Sequence, residues 1–144
     1  MVLKILGYNT FDIIIKKEYL EIDINIKEEI EEKIKEIFKK IKKIYKIEIE
    51  GFYNIEVYSD KNYGVIFHIK KEQLEYYDYF KGQIDMRLII NDTTFYYEVD
   101  DIILEDKTKI HIKDNRIYLE IIKPLTKKEM MYLQENVRDI VFNW

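Results

Sequence analysis

Few side chains in this chain could carry out covalent chemistry. The sequence contains no cysteine and a single serine, Ser59, which falls in a predicted turn. A serine or cysteine nucleophile needs an activating base and an orienting group beside it, so the usual triads cannot be assembled from this inventory. We therefore predict no catalytic residue of this kind. The non-enzymatic interpretation is favoured, and the enzyme alternative stays open.

The two histidines are the best candidates for acid–base chemistry. His68 and His111 lie on predicted strands, out of phase with the main apolar residues. Either could serve as a general base or a metal ligand. No HxxxH or HExxH spacing accompanies them, so we interpret both as ordinary, partly exposed strand residues. A small hydrolase or metal-dependent enzyme with a His/carboxylate site remains an alternative function.

Carboxylates and glycines are the residues that could bind cations and phosphates. An acidic stretch could hold a hard cation through its oxygens. It lacks the spacing and the glycine of an EF-hand loop, so a solvated loop is favoured. The four glycines are scattered, and no GxxxxGK[ST] or GxGxxG motif is present to hold a phosphate. We predict no metal and no cofactor. The acidic residues are Glu98, Asp100, Asp101, Glu105 and Asp106.

The densest aromatic run is YYDYF at residues 76–80. On a short helix with Leu74, Tyr77 and Phe80 facing inward, Tyr76 and Tyr79 would stay near solvent. Aromatic side chains left at a surface favour protein partners. We therefore predict a partner-protein surface formed by Tyr76, Tyr79 and Phe80.

A nucleic-acid alternative depends on lysines at one end of a predicted helix, namely Lys39, Lys40, Lys43 and Lys46. These side chains could contact phosphates, with nearby tyrosines stacking on bases. Lysines at a helix carboxyl end are also what the helix dipole favours without any ligand. The net charge of -4, with both signs interspersed, gives no overall attraction to nucleic acid or to an anionic membrane. Protein binding is the favoured function.

A long amphipathic helix is the clearest element. Its glutamates precede its lysines by one turn, and Asn25 with Glu28 forms a capping pair at its start. Such a stripe cannot be buried by the helix itself, so we expect it to lie across a sheet, with Ile34 and Phe38 among the most buried residues. The stripe consists of Ile26, Ile30, Ile34, Ile37, Phe38, Ile41, Ile44 and Tyr45.

The rest of the chain alternates as strands do, and it predicts four hairpins. They join residues 2–6 with 11–15, 47–57 with 63–69, 84–90 with 95–99, and 110–112 with 117–121. Gly51 interrupts the second hairpin, which indicates a bulge, a bend or a close backbone approach. Thr126 and Glu129 form a capping box before a final helix over residues 127–141.

These elements predict an α+β fold of antiparallel hairpins packed against the helix at residues 26–45. We expect one domain over residues 1–144, with a possible subdivision near residues 70–82. No signal-peptide pattern and no stretch of about 20 apolar residues is present, so we expect a cytoplasmic protein without membrane contact. Alanine is absent, and Ile, Lys, Glu and Tyr dominate. This bias is typical of a low-GC bacterium or its phage.

The first half of the chain resembles a known family. A hairpin carrying Asn9-Thr10, a long helix, and strands entered through Glu50-Gly51 follow the order of the amino-terminal domain of MecA-type adaptors. Those proteins deliver substrates to a Clp unfoldase. The resemblance implies a non-enzymatic adaptor whose first half grips a client, and it transfers no functional residues. A regulator, including a phage-type inhibitor, and a homodimer are also compatible with the sequence.

Overall fold

The computed structural model describes residues 1–60, 63–72 and 83–142, and it confirms the α+β class. Strands dominate, in two sheets, and the described residues form two α-helices. The elements in chain order are β1 (Val2–Ile5), β2 (Thr10–Lys16), α1 (Lys27–Tyr45), β3 (Gly51–Asp60), β4 (Gly64–Glu72), β5 (Ile84–Asp92), β6 (Tyr96–Val99), β7 (Thr108–Lys113), β8 (Arg116–Ile121), α2 (Lys127–Asn136) and β9 (Val137–Val141). A single 3₁₀ turn, Lys17–Tyr19, follows β2.

The chain divides into two compact units. Unit 1 comprises Met1–Tyr58 and Val65–Asn91, and unit 2 comprises Ser59–Gly64 and Asp92–Trp144. The chain therefore passes into unit 2 for a few residues between β3 and β4, and again after β5. That the two units behave as a single domain stays a prediction.

Unit 1 is built on a five-stranded sheet in the order β1-β2-β4-β3-β5. Five residues of the predicted stripe, from Ile30 to Ile41, belong to one hydrophobic cluster with alternate residues of β2, β3 and β4. Ile34 and Phe38 are almost completely buried in it, as predicted. The prediction is wrong at the two ends of the stripe, where Ile26, Ile44 and Tyr45 are exposed because they lie beyond the part of α1 that the sheet covers. The register of β1 with β2 is antiparallel, with Leu3 opposite Ile13, so the first hairpin is confirmed.

The N-terminal cap of α1 differs from the prediction. Ile26 is the N-cap residue and makes no side-chain capping bond. The predicted cap, Asn25, is instead held outside the helix, where its backbone N–H donates to Asp23 Oδ1 at 2.9 Å. The predicted capping pair is therefore wrong, because the Asp23 turn precedes the helix. At the other end Lys46 adopts a left-handed conformation (φ 53°), which closes the last turn.

Unit 2 contains a four-stranded sheet in the order β7-β8-β6-β9. The β7–β8 hairpin is confirmed, with Thr108 opposite Ile121 and Lys113 opposite Arg116. Asp114 and Asn115 connect these strands with φ values of 52° and 61°. Two consecutive positive φ angles match the twist of a tight hairpin turn, and Asn and Asp tolerate them better than most residues.

The predicted hairpin of β5 with β6 is wrong. β5 is an edge strand of the five-stranded sheet, beside β3, whereas β6 pairs with β8 and β9 in the four-stranded sheet. The alternation of residues 84–90 and 95–99 correctly indicated two strands. It does not encode which strand each will pair with, because that depends on residues distant in the sequence.

The predicted final helix, over residues 127–141, is too long, because its last five residues form a strand. The capping box is confirmed, since Glu129 N–H donates to Thr126 Oγ1 at 3.2 Å and Thr126 N–H donates to Glu129 Oε1 at 3.0 Å. However, α2 ends at Asn136, and Val137–Val141 form β9 beside β6. Branched apolar residues at positions 137, 140 and 141 suit either pattern, and pairing with β6 decides between them. Neither α1 nor α2, the α-helices among the described residues, has a segment long and apolar enough to cross a bilayer.

Candidate functional site

Unit 1 has a groove of about 700 Å³ between the start of β3, the second half of α1 and the β1–β2 hairpin. Cavities of roughly 300–1,000 Å³ are typical of binding sites. We call it the unit 1 groove. Its apolar lining includes Leu3, Ile5, Phe11, Phe38, Ile41 and Ile47.

Aromatic rings form the inner wall of the unit 1 groove. The Phe38 ring centroid lies 4.7 Å from that of Tyr53 and 6.1 Å from that of Phe11, with tilted rings in both pairs. Tyr53 Oη donates to the carbonyl oxygen of Ile49 at 2.6 Å. Because this polar atom is satisfied inside unit 1, the ring can line the groove without an unpaired hydroxyl. α1 positions Phe38, since helical spacing places it on the same face as Ile34 and Ile41.

Large side chains at the outer part of the same groove are exposed. The exposed fraction is 76% for Ile5, 94% for Tyr8 and 50% for Ile47. All three line the groove, so they form one contiguous surface with its apolar interior. Single exposed apolar residues are normal, but a contiguous group beside a cavity is typical of a surface that a partner covers.

The β1–β2 turn is held at one end of the groove by Asn9. The Asn9 carbonyl oxygen accepts a hydrogen bond from the Lys71 backbone N–H at 2.9 Å, and Asn9 Nδ2 donates to the Lys71 carbonyl oxygen at 3.1 Å. Thr10 Oγ1 donates to Asn9 Oδ1 at 3.3 Å. This two-bond connection to the end of β4 fixes the turn that carries Tyr8.

Gly51 leaves the space that the Lys71 side chain occupies. A Cβ atom at Gly51 would lie 3.0 Å from Lys71 Cε, and Gly51 has φ 144°, a value that other residues rarely adopt. Lys71 Nζ lies 5.9 Å from the centroid of the Tyr53 ring, within the range of a cation–π contact. The atoms that approach Gly51 closely belong to a side chain, and not to a backbone segment as predicted. The lysine stem borders the groove, and its ammonium group adds a polar end to it.

A second cluster of polar residues lies on the other face of the five-stranded sheet. Asp12 is buried, and its Oδ1 lies 2.6 Å from His68 Nδ1. The His68 side chain is 31% exposed, in agreement with a partly exposed strand residue. On neighbouring β3, the Tyr58 hydroxyl donates to Glu56. Burial, followed by the bond to Glu56 and the charges of Glu56 and Asp12, raises the pKa of Tyr58 to about 12.

The other histidine and the acidic segment make ordinary surface pairs in unit 2. His111 Nε2 lies 3.0 Å from Glu120 Oε1, and its ring packs edge-on against Tyr96. Arg138 Nη1 lies 3.1 Å from Asp100 Oδ1. Among the residues that the structure describes, no three His, Asp or Glu side chains are grouped so that they could hold a metal ion.

Both sets of residues predicted to bind partners remain predictions. Tyr76, Tyr79 and Phe80 lie outside the described residues, so that prediction remains as it was. The lysines of the nucleic-acid alternative are all exposed on α1 or at its end, and Lys40 Nζ lies 3.3 Å from Glu36 Oε1. None of them lines the unit 1 groove in the described part of the chain. The four are Lys39, Lys40, Lys43 and Lys46.

Sequence reasoning did not identify the unit 1 groove. Two signals pointed toward it: Gly51 indicated a close backbone approach, and Ile47 continued the apolar pattern of β3 beyond the strand that forms. Neither signal reveals that Asn9 and Lys71, 62 residues apart, are hydrogen-bonded.

No protein-family model, curated protein or solved structure matches this chain. The resemblance to the amino-terminal domain of MecA-type adaptors therefore stays a prediction. The unit 1 groove and the cluster around Asp12 and His68 are the two groups of side chains that suggest a function.

Proposed function

We propose that this chain is a non-enzymatic protein-interaction module, an adaptor or a regulator, and that the unit 1 groove holds an apolar segment of a partner protein. One observation carries the proposal: the exposed side chains of Ile5, Tyr8 and Ile47 are continuous with an apolar cavity of about 700 Å³. A partner that covers them removes this surface from water.

The energetics suit a peptide side chain as the occupant. Burying an aliphatic side chain the size of leucine contributes about 1.5–3 kcal/mol. A partner isoleucine, leucine or phenylalanine in the groove would gain this amount and would also bury part of Ile5 and Ile47. Tyr8 can contribute aromatic contact area and a hydroxyl at the same time, which is why tyrosine is common among residues that dominate binding.

The wider biological setting is part of the same proposal. α1 packed against the first two hairpins supplies a rigid wall for the groove, and a rigid wall lowers the entropy cost of binding. An adaptor related to the MecA type, or a phage-type inhibitor, would act in this way in the cytoplasm of a low-GC bacterium. The segment containing Tyr76, Tyr79 and Phe80 adds a second contact surface in this proposal.

Peptide selection on the folded protein tests the proposal. A library of random twelve-residue peptides is displayed on phage and selected against the native chain, and the recovered peptides are synthesised. We expect Ile5→Glu and Tyr8→Ala each to weaken binding of these peptides at least about tenfold, which corresponds to about 1.4 kcal/mol. Affinity is measured by fluorescence anisotropy at constant salt.

Ile112→Glu is the matched control, because Ile112 lies on an edge strand of the other sheet and is 74% exposed, close to the 76% of Ile5. It should leave peptide affinity unchanged. Equal binding by Ile5→Glu and the native chain would contradict the proposal. Binding of DNA or RNA that falls steeply with salt, and that is lost in Lys39→Glu/Lys43→Glu, would favour the nucleic-acid alternative.

A second candidate function is a small hydrolase that uses His68, and the Asp12–His68 pair favours it. A buried carboxylate bonded to Nδ1 orients an imidazole and leaves Nε2 available as a base. Turnover of p-nitrophenyl esters that disappears in His68→Gln and in Asp12→Asn, with the fold retained, would support this candidate. His111→Gln serves as the control, since that histidine also contacts a glutamate.

A further inference from the structure

β1 is an outer strand of the five-stranded sheet, and among the described strands it pairs only with β2. Its side chains alternate between the two faces, and those of Leu3 and Ile5 line the unit 1 groove. Leu3 and Ile5 therefore belong both to the open edge of the sheet and to the lining of the groove. A segment that enters the groove lies directly beside this edge.

The direction of the backbone groups along β1 follows from its register. Leu6 N–H donates to the Thr10 carbonyl oxygen at 3.0 Å, so residues 6 and 10 form a hydrogen-bonded pair. Antiparallel partners alternate between hydrogen-bonded and non-hydrogen-bonded pairs. With Lys4 opposite Asp12 and Val2 opposite Ile14, these two residues also bond to β2. Leu3 and Ile5 then direct their N–H and C=O groups to the open edge.

We infer that the partner segment binds in extended form, as an added strand next to β1. This inference rests on the proposed function and specifies the conformation of the partner. The backbone of the partner segment forms hydrogen bonds with the N–H and C=O groups of Leu3 and Ile5. Every second side chain then points to the groove face of the sheet and enters the apolar cavity.

The charge of Lys4 determines which type of partner residue is favoured opposite it. Lys4 lies between Leu3 and Ile5 and points to the other face of the sheet, where it is exposed and lies between Asp12 of β2 and the position of the added strand. A residue of the added strand opposite Lys4 is favoured when it is acidic. The partner segment is thus apolar–acidic–apolar. The same charge disfavours a second copy of this chain, because two-fold pairing through both Leu3 and Ile5 would set Lys4 against Lys4 of the other copy.

N-methylation of a groove-dependent peptide separates strand addition from simple side-chain insertion. The tightest peptide from the selection on the native chain is synthesised with one N-methyl group at each position in turn. We expect the effect on peptide affinity to alternate along the peptide. Affinity should fall at least tenfold where the methylated amide faces β1, and it should change little where that amide faces away. Uniform tolerance would overturn the added strand, while the groove proposal would stand on the Ile5→Glu result.

Hydrogen exchange provides a second measurement that needs no substitution. In the free protein the amides of Lys4 and Leu6 should exchange slowly, and those of Leu3 and Ile5 quickly. Saturation with the unmethylated peptide should slow the Leu3 and Ile5 amides at least tenfold. Unchanged exchange at both amides with the peptide bound would overturn the inference.

Proline substitution tests the edge on the protein itself. Ile5→Pro removes an outward N–H and keeps the bonds to β2, so the chain should fold. Ile5→Ala removes the same groove side chain and keeps the N–H, so Ile5→Pro should lose at least about tenfold more peptide affinity than Ile5→Ala, and equal losses in the two would overturn the added strand. Lys4→Pro removes an N–H that faces β2 and should lower stability instead. Lys4→Glu should lower the affinity for peptides with a central acidic residue about threefold or more. A native dimer in sedimentation that is lost in Ile5→Pro would overturn the inference in favour of a second copy.

Discussion

Unit 1 and unit 2 each contain one sheet and one principal helix, yet they build their cores differently. α1 has 19 residues and buries five, all isoleucine or phenylalanine, whereas α2 has 10 residues and buries only Leu133. The core of unit 1 consists mainly of aliphatic residues from five elements, α1, β2, β3, β4 and β5. The regular stripe of α1 makes the whole helix recognisable from sequence, whereas for α2 the capping box shows only where the helix begins.

The core of unit 2 depends on aromatic contacts instead. The Phe95 ring centroid lies 6.5 Å from that of Tyr97 and 6.1 Å from that of Phe142, and Tyr63 lies 5.7 Å from Tyr97. Tyr97 is completely buried, and its hydroxyl has no hydrogen-bond partner among the residues that the structure describes. Burial, followed by the nearby Asp60 and Tyr63, raises the pKa of Tyr97 far above its usual value. Within the described part of unit 2 this hydroxyl is therefore unsatisfied, whereas the buried tyrosine of unit 1, Tyr53, donates its hydroxyl hydrogen to the Ile49 carbonyl oxygen.

The largest expected effect is on the helix of unit 1. Phe38→Ala should lower the free energy of unfolding by about 3–5 kcal/mol, because it removes a buried ring that contacts Phe11 and Tyr53. Leu133→Ala is the matched change in unit 2, and it should cost about 2–5 kcal/mol. Urea denaturation followed by circular dichroism and by amide signals of each unit measures both.

These two variants also test the predicted single domain. If the units unfold together, Phe38→Ala shifts the transition of the unit 1 and unit 2 signals by the same amount. A shift confined to unit 1 would show two independent domains. A loss below about 1 kcal/mol for Phe38→Ala would contradict its place in the core.

The two buried tyrosines give opposite predictions for the same substitution. Tyr53→Phe removes the bond to the Ile49 carbonyl oxygen and should lower stability by about 1 kcal/mol. Tyr97→Phe removes a buried hydroxyl that none of the described residues satisfies, and it should raise stability by about 1 kcal/mol. Thermal and urea unfolding of both variants measure the difference. Equal losses in the two would show that the Tyr97 hydroxyl has a partner, such as a bound water.

The smallest expected effect is a pH dependence of unit 2. Glu129 Oε1 accepts from Lys107 Nζ at 2.5 Å and from the Thr126 N–H, and the lysine bond first and the backbone bond second lower the pKa of Glu129 to about 2. The ionised form is thus favoured in the folded state. Its contribution is present above the ordinary value of 4.5 and is lost as the pH falls toward 2.

Glu129→Gln should therefore reduce the fall in the melting midpoint of unit 2 between about pH 5 and pH 2. Glu135→Gln, an exposed position on the same helix, is the control and should keep the native pH profile. An unchanged profile in Glu129→Gln would show that other carboxylates produce the acid dependence.

The candidate site was only partly accessible from sequence. Alternation placed His68 opposite the buried face of its strand, and the structure agrees. The same alternation could not show that Asp12 would lie beside it, because the two residues are 56 positions apart. The aromatic surface around Tyr76 and Tyr79 lies outside the described residues and stays a prediction.

Local patterns of residues were sufficient to predict α1, the β1–β2 and β7–β8 hairpins and the capping box of α2. Each of these depends on residues within a few positions of one another, whose spacing is visible in the chain. Tertiary structure decided the rest. β5 and β6 separated into different sheets, residues 137–141 became β9 because β6 was available to pair with them, and the unit 1 groove formed where Asn9 met Lys71. Contacts between distant residues select among local patterns that are individually compatible with more than one structure.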